Sequence, residues 1–252
     1  MTPPRRKTGT QDARARIDEM METASQWLAE SKIFDAERTS LRALMLARRH
    51  RDFERMARIC LPLQEARRLR RQQACDARVV TILESTRSVP RKFSPGCYLV
   101  QPPMIGADAR LIRESALARS VPVFVLAREP MTQSRRWPVV AVAQNLVIRT
   151  QVIPPPGVRW TGEGVRRDEV SAPVPVSWFE AAAEALGDAA IERVKADDPP
   201  QWRVDDLLEF LEALPEHERL HQSLEAACRE AIGTPEPLLD RRRGVPDDPF
   251  CF

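Results

Sequence analysis

At 252 residues, 43% apolar and 30% charged, the chain is long enough to bury a self-supporting core, and its longest apolar run, residues 121–127, is far too short to cross a bilayer. Its five cysteines, Cys60, Cys75, Cys97, Cys228 and Cys251, are odd in number and include no C-x-x-C pair. With no apolar signal segment after Met1, a soluble protein of the reducing cytoplasm is expected, with neither a membrane partner nor a disulfide framework. The net charge of +3 is unevenly spread, since residues 1–78 carry +7, residues 79–176 carry +6 and residues 177–252 carry −10. A basic front and an acidic back can attract each other or a charged partner.

Residues 1–11 form a basic lead rich in Pro, Arg, Lys and Thr, without periodic apolar positions, and are expected to be disordered. From Asp12 the pattern turns helical, and the stretch 12–76 forms a helical segment. Ile17, Met20, Met21, Ala24, Trp27 and Leu28 recur at three- and four-residue spacing, and after a short turn near Ser31 a second stripe follows with Ala36, Ser40, Ala43, Leu44 and Ala47. So short a connection makes the two helices antiparallel. A third helix carries Phe53, Met56, Ala57 and Cys60, and Pro62 predicts a kink or a fresh start before the Arg-rich run 63–73.

Trp27 on the first helix, Ser31 at the turn, and the small residues Ala36 and Ala43 with Leu44 on the second make this pair resemble a tetratricopeptide-like hairpin. Shifted by that family's period of about 34 residues, Trp27 falls on Leu61 and Ala36 on Arg70, so the resemblance covers one hairpin only. It implies a helical array that meets a protein partner, with Trp27 and Phe34 as candidate contact residues. A single hairpin cannot bury its own face and must pack on its neighbours.

Residues 77–156 form the α/β centre. Strands are expected at 78–84, 97–101 and 121–127, with a helix after Gly106 whose apolar face is Leu111, Ile112, Ala116 and Leu117. Strand, helix and strand at these lengths make a βαβ unit with parallel strands, and 138–143 with 146–152 make a hairpin across Gln144-Asn145. Pro122 lacks an amide hydrogen and belongs at its strand's start or edge. Residues 157–176 read as a Pro-rich loop or linker, residues 177–233 as a C-terminal helical segment and residues 234–252 as a tail. In the helical segment Ser177 is the expected cap, Gly187 interrupts an apolar stripe, and Gly233 closes the last helix. The whole is of the α+β or α/β class, with a helical hairpin array at the N-terminus, a small mixed central sheet containing a βαβ unit, and C-terminal helices. The centre has to bury both helical flanks.

Three constellations carry possible chemistry. His217-Glu218-Arg219-Leu220-His221 matches H-E-x-x-H, in which His217 and His221 would ligate zinc and Glu218 would activate water. Arg219 in its middle and the missing G-x-x-H downstream depart from the zinc-peptidase pattern. The helix start at Gly106, Ala107 and Asp108, beside Gln101, is where a βαβ unit places a cofactor or an anion, but it has no Gly-rich phosphate fingerprint. Arg67, Arg68, Arg70 and Arg71 crowd onto less than two turns, where they suit either phosphates or the acidic back of the same chain. No nucleophile–base pair is visible. The expectation is therefore a non-catalytic protein-interaction or scaffold protein with no cofactor, with a zinc hydrolase and nucleic-acid binding through Arg67–Arg71 as the alternatives.

Overall fold

The computed structural model describes residues 6–237, and the side chains of residues 11–237. The tail's Arg241–Arg243 and Phe250–Phe252, and the start of the basic lead, lie outside them. Helix α1 (Arg6–Ala29) begins within the stretch expected to be disordered; α2 (Ile33–Arg49) and α3 (Phe53–Cys75) complete the front. Ser31, Arg51 and Arg78 take left-handed φ values at the ends of the three helices. Each of these residues reverses the chain sharply, so that the helices pack side by side. Asp52 caps α3 by accepting from the Arg55 amide, and it also binds the Arg14 guanidinium of α1 at 3.0 Å. Helix α3 runs on through Pro62, so no fresh start occurs there.

The centre opens with β1 (Val80–Leu83) and β2 (Gly96–Val100), continues through α4 (Gly106–Leu117) and β3 (Val123–Arg128), and ends in the hairpin β4 (Trp137–Val142) and β5 (Val147–Val152). The five strands lie in the order β1-β2-β3-β4-β5, the first three parallel and the last two antiparallel. Strand β3 begins just after Pro122, whose carbonyl accepts from the Gly96 amide. The β2-α4-β3 crossover and the final hairpin follow the sequence expectation. Cys97 and Leu99 of β2, Phe124 and Leu126 of β3, and Trp137 and Val139 of β4 face one core shared with the front and back helices. Tyr98, Val100, Val123, Ala127 and Val140 face a second core under α4. A fully buried strand exposes neither face to water, which is why β2 and β3 are nearly continuous in apolar residues.

The stretch 157–176, expected as a Pro-rich loop or linker, contains regular structure. It folds into a two-stranded antiparallel ribbon, β6 (Val158–Trp160) and β7 (Asp168–Val170), whose reversal uses positive φ at Gly162 and Gly164. The back consists of α5 (Val176–Glu192), α6 (Pro200–Ala213) and α7 (Glu218–Ala231). Pro175 rather than Ser177 holds the cap position of α5. Gly187 does not interrupt that helix; a Cβ there would stand 2.1 Å from His217 Cδ2, so only glycine lets the imidazole lie flat on the helix. Among the described residues no helix is long and apolar enough to cross a membrane.

Candidate functional site

The parallel strands β1 and β2 end at Leu83 and Val100, and β3 ends at Arg128. Chain direction brings these carboxyl ends to one edge, the position at which open α/β sheets form ligand clefts. Arg128 is the last residue of β3, and the alternation that sends Leu126 into the core sends its side chain to the same face, in among Trp137, Asp168 and Gln101. Its guanidinium is fully covered, bonding Asp168 Oδ1 at 3.0 Å and Gln101 Oε1 at 2.9 Å, and lies 4.2 Å from the Trp137 ring centre. Trp137 Nε1 donates to the second Asp168 oxygen at 2.5 Å. Burial pushes the Arg128 pKa down and the Asp168 carboxylate opposes it; the group stays charged, since guanidinium does not lose its proton in proteins. The ring face adds a cation–π contact that needs no solvent.

Above this buried floor lies a cleft of about 410 Å³. Glu84, Ser85, Pro102, Pro103, Asp168 and the ribbon turn Glu163–Arg166 line it. Glu84 ties wall to floor: it accepts from Gln101 Nε2 at 3.1 Å and from Arg166 Nη1 at 2.5 Å. The ribbon is anchored from behind by the Met131 amide, which donates to the Arg166 carbonyl at 3.1 Å. Two carboxylates, Glu84 and Glu163, and the Arg166 guanidinium line the cleft above the buried Asp168. Asp168 is neutralised by Arg128 and Glu84 by Arg166, which leaves Glu163 as the excess negative charge.

The helix start singled out from sequence stands beside this cleft, not in it. Gly106 is pressed against β4, with room for no Cβ: one would meet Val142 Cγ2 at 2.7 Å. The void beside Gly106 measures about 20 Å³, room for about one water at most. Asp108 uses its carboxylate to accept the Ile105 amide at 2.8 Å, and Ala107 is exposed. Of the predicted ligand stretch, Pro102 and Pro103 line the cleft, and the buried Gln101 lies behind it, bonded to Glu84 and Arg128.

The other sequence candidates meet at a second cluster, where the front helices join the back. Glu37 of α2 accepts from Arg67 Nε at 2.9 Å and also binds Arg70, and Arg70 Nη2 donates to Glu216 at 2.6 Å. Burial pushes the Glu37 carboxyl up, but the two guanidiniums outweigh it, and its pKa ends below the usual range. Arg71 reaches Glu184 of α5 at 2.5 Å and Glu218 of α7 at 3.0 Å. Arg68 is the exception; it pairs with Glu65 on its own helix. Of the cluster, Arg70 and Arg71 bind carboxylates of the acidic back, whereas Arg67 pairs with Glu37 of the front; Arg67 and Arg70 are buried.

The H-E-x-x-H residues take part in the same junction. His217 is the cap of α7: Nδ1 accepts from the Leu220 amide at 3.3 Å, which leaves the hydrogen on Nε2, 3.1 Å from Glu184. His221 is buried one turn on, its Nε2 donating to the Pro215 carbonyl at 3.0 Å. Burial, with Arg67 nearby, pushes its pKa down to about 3, so it is neutral above that pH. The lone pairs that a metal would need thus point to different places, and Glu218 is held by Arg71. Among the described residues no three His, Cys, Asp or Glu side chains converge as a metal site. Trp27 and Phe34, at the turn between α1 and α2, are half-buried and join neither core.

Sequence reasoning missed Arg128, Asp168 and the ribbon. The one signal was an arginine directly after an apolar strand. Compared with known proteins, the chain matches no family model, no curated protein and no solved structure.

Proposed function

We propose that this chain is a non-catalytic binding protein, a rigid scaffold whose α/β body holds a small polar ligand and whose helical front meets a protein partner. The observation that carries the reading is the cleft at the ends of β1–β3, floored by the buried Arg128–Asp168 pair and walled by Glu84, Arg166 and Glu163. A site of this volume suits a small molecule, and an excess carboxylate on its rim favours one that carries an amine together with hydroxyl or carbonyl groups. Binding rather than catalysis is supported by the work that His217, Glu218 and His221 already do in holding α7. For the partner, support comes from Trp27 and Phe34, two aromatics outside both cores at one end of the helical front. Aromatics are favoured anchors in protein interfaces.

Ligand-detected NMR with a panel of small amines, amino alcohols and amino sugars tests the cleft. Val165 is exposed and lines it, so Val165→Trp fills the space without entering a core. The reading expects at least one compound to bind the parent protein with sub-millimolar Kd and to lose binding in Val165→Trp. No binding across the panel, or binding that Val165→Trp leaves untouched, overturns it.

A further inference from the structure

Cys75 is the last residue of α3, and Cys97 is the second residue of β2, where it pairs with Val80 on one side and Phe124 on the other. Their sulfurs lie 3.7 Å apart, in van der Waals contact, and both are free thiols. The two differ in access: Cys97 is fully buried, whereas Cys75 is partly open to solvent. An outer thiol that a reagent can reach, touching an inner one that it cannot, is the arrangement that thiol–disulfide exchange needs.

We infer that Cys75 and Cys97 are a reversible disulfide site that ties the end of the helical front to the central sheet. With a low-molecular-weight disulfide as the oxidant, the Cys75 thiolate attacks one sulfur of the reagent. The reagent's S–S bond breaks, a mixed disulfide forms on Cys75, and one reagent thiolate leaves. Cys97, giving up its proton, then attacks the Cys75 sulfur and expels the second reagent thiolate. Two protein thiols are oxidised, one small disulfide is reduced to two thiols, and the two protons end on the two leaving groups. The Cys97 thiol, burial and the Glu180 carboxylate of α5 together hold the Cys75 thiol above its usual range. A raised thiol pKa slows exchange, so equilibration with the oxidant is followed to its plateau. The loop that the bond closes contains β1.

Cys60 and Cys228 serve as internal controls. Both are buried, and burial pushes Cys60 well above the usual thiol range and Cys228 up to about 12. The test uses the full-length folded protein in a Cys251→Ser background, equilibrated with oxidised glutathione, alkylated without reduction, digested and mapped by mass spectrometry. The expected result is one internally linked peptide pair containing Cys75 and Cys97, unmodified Cys60 and Cys228, a raised unfolding midpoint, and complete reversal by dithiothreitol. Cys97→Ser should leave a glutathione adduct on Cys75, and Cys75→Ser should leave Cys97 as a free thiol. No Cys75–Cys97 link in the folded parent protein, or a link that appears only in denaturant, overturns the inference.

Discussion

Two sites of buried arginine, one at the helical junction and one at the sheet edge, are built from the same chemistry in different settings. At the helical junction, Arg67 and Arg70 sit among Glu37 and Glu216, closed in by α2, α3 and α7. At the sheet edge, Arg128 sits between Asp168, Gln101 and Trp137, with a cleft of about 410 Å³ above it. A buried ion pair is not in itself a large source of stability, because desolvation offsets much of the Coulomb attraction. Its effect is on specificity, since any packing that separates the partners leaves a charge buried alone. At the junction this fixes how the front docks on the back, and at the sheet edge it fixes the floor of the cleft.

The largest expected effect is at the junction. Arg70→Ala leaves Glu216 without its ion-pair partner and Glu37 with Arg67 alone, and the loss should be about 3–5 kcal/mol in urea unfolding. A loss well under 1 kcal/mol would mean that water or repacking satisfies these carboxylates and that the junction does not fix the docking.

The second effect is on pH dependence. His221 has a folded pKa of about 3 against about 6.5 when unfolded, so below pH 6.5 the unfolded chain takes up a proton that the folded chain refuses. Stability should fall as the pH drops from 6.5 toward 3, by about 3 kcal/mol near pH 4 from this group alone. His221→Gln should flatten that part of the stability curve, and an unchanged slope would show that the ring is not buried neutral. Glu37 adds a loss of the same sign at lower pH, because its carboxylate is held below the usual range.

Smaller again is Gly187→Ala. Helix propensity favours the change by about 1 kcal/mol, yet the new methyl would collide with the His217 ring. A net loss of about 1–3 kcal/mol is expected, the range for overpacking a tight site. A net gain would show that the ring moves aside freely and that its cap on α7 contributes little.

The sequence disclosed the elements better than it disclosed their use. Runs such as 121–127, and the stripe Ile17-Met20-Ala24, carry their period in the residues themselves, and the βαβ unit and the β4–β5 hairpin follow from them. The ribbon β6–β7 was hidden because strands of three residues, set among glycine and charge, have no period to detect. Buried arginines were hidden for another reason. From sequence Arg67 and Arg70 suit a phosphate-binding face, a solvated face or a docking face for the acidic back, and only the fold brings Glu37 and Glu216, far away in sequence, beside them. H-E-x-x-H is similarly incomplete as a signal, since the spacing places two imidazoles one turn apart but does not say where their lone pairs go.

Matched carboxylate-to-amide changes, one in each cluster, test the central comparison most directly. For a cleft ligand found by NMR, calorimetry on Asp168→Asn and Glu216→Gln should give a Kd at least about tenfold weaker for the first, a coupling of about 1.4 kcal/mol, and an unchanged Kd for the second. Equal weakening by both, or weakening by Glu216→Gln alone, would contradict the account.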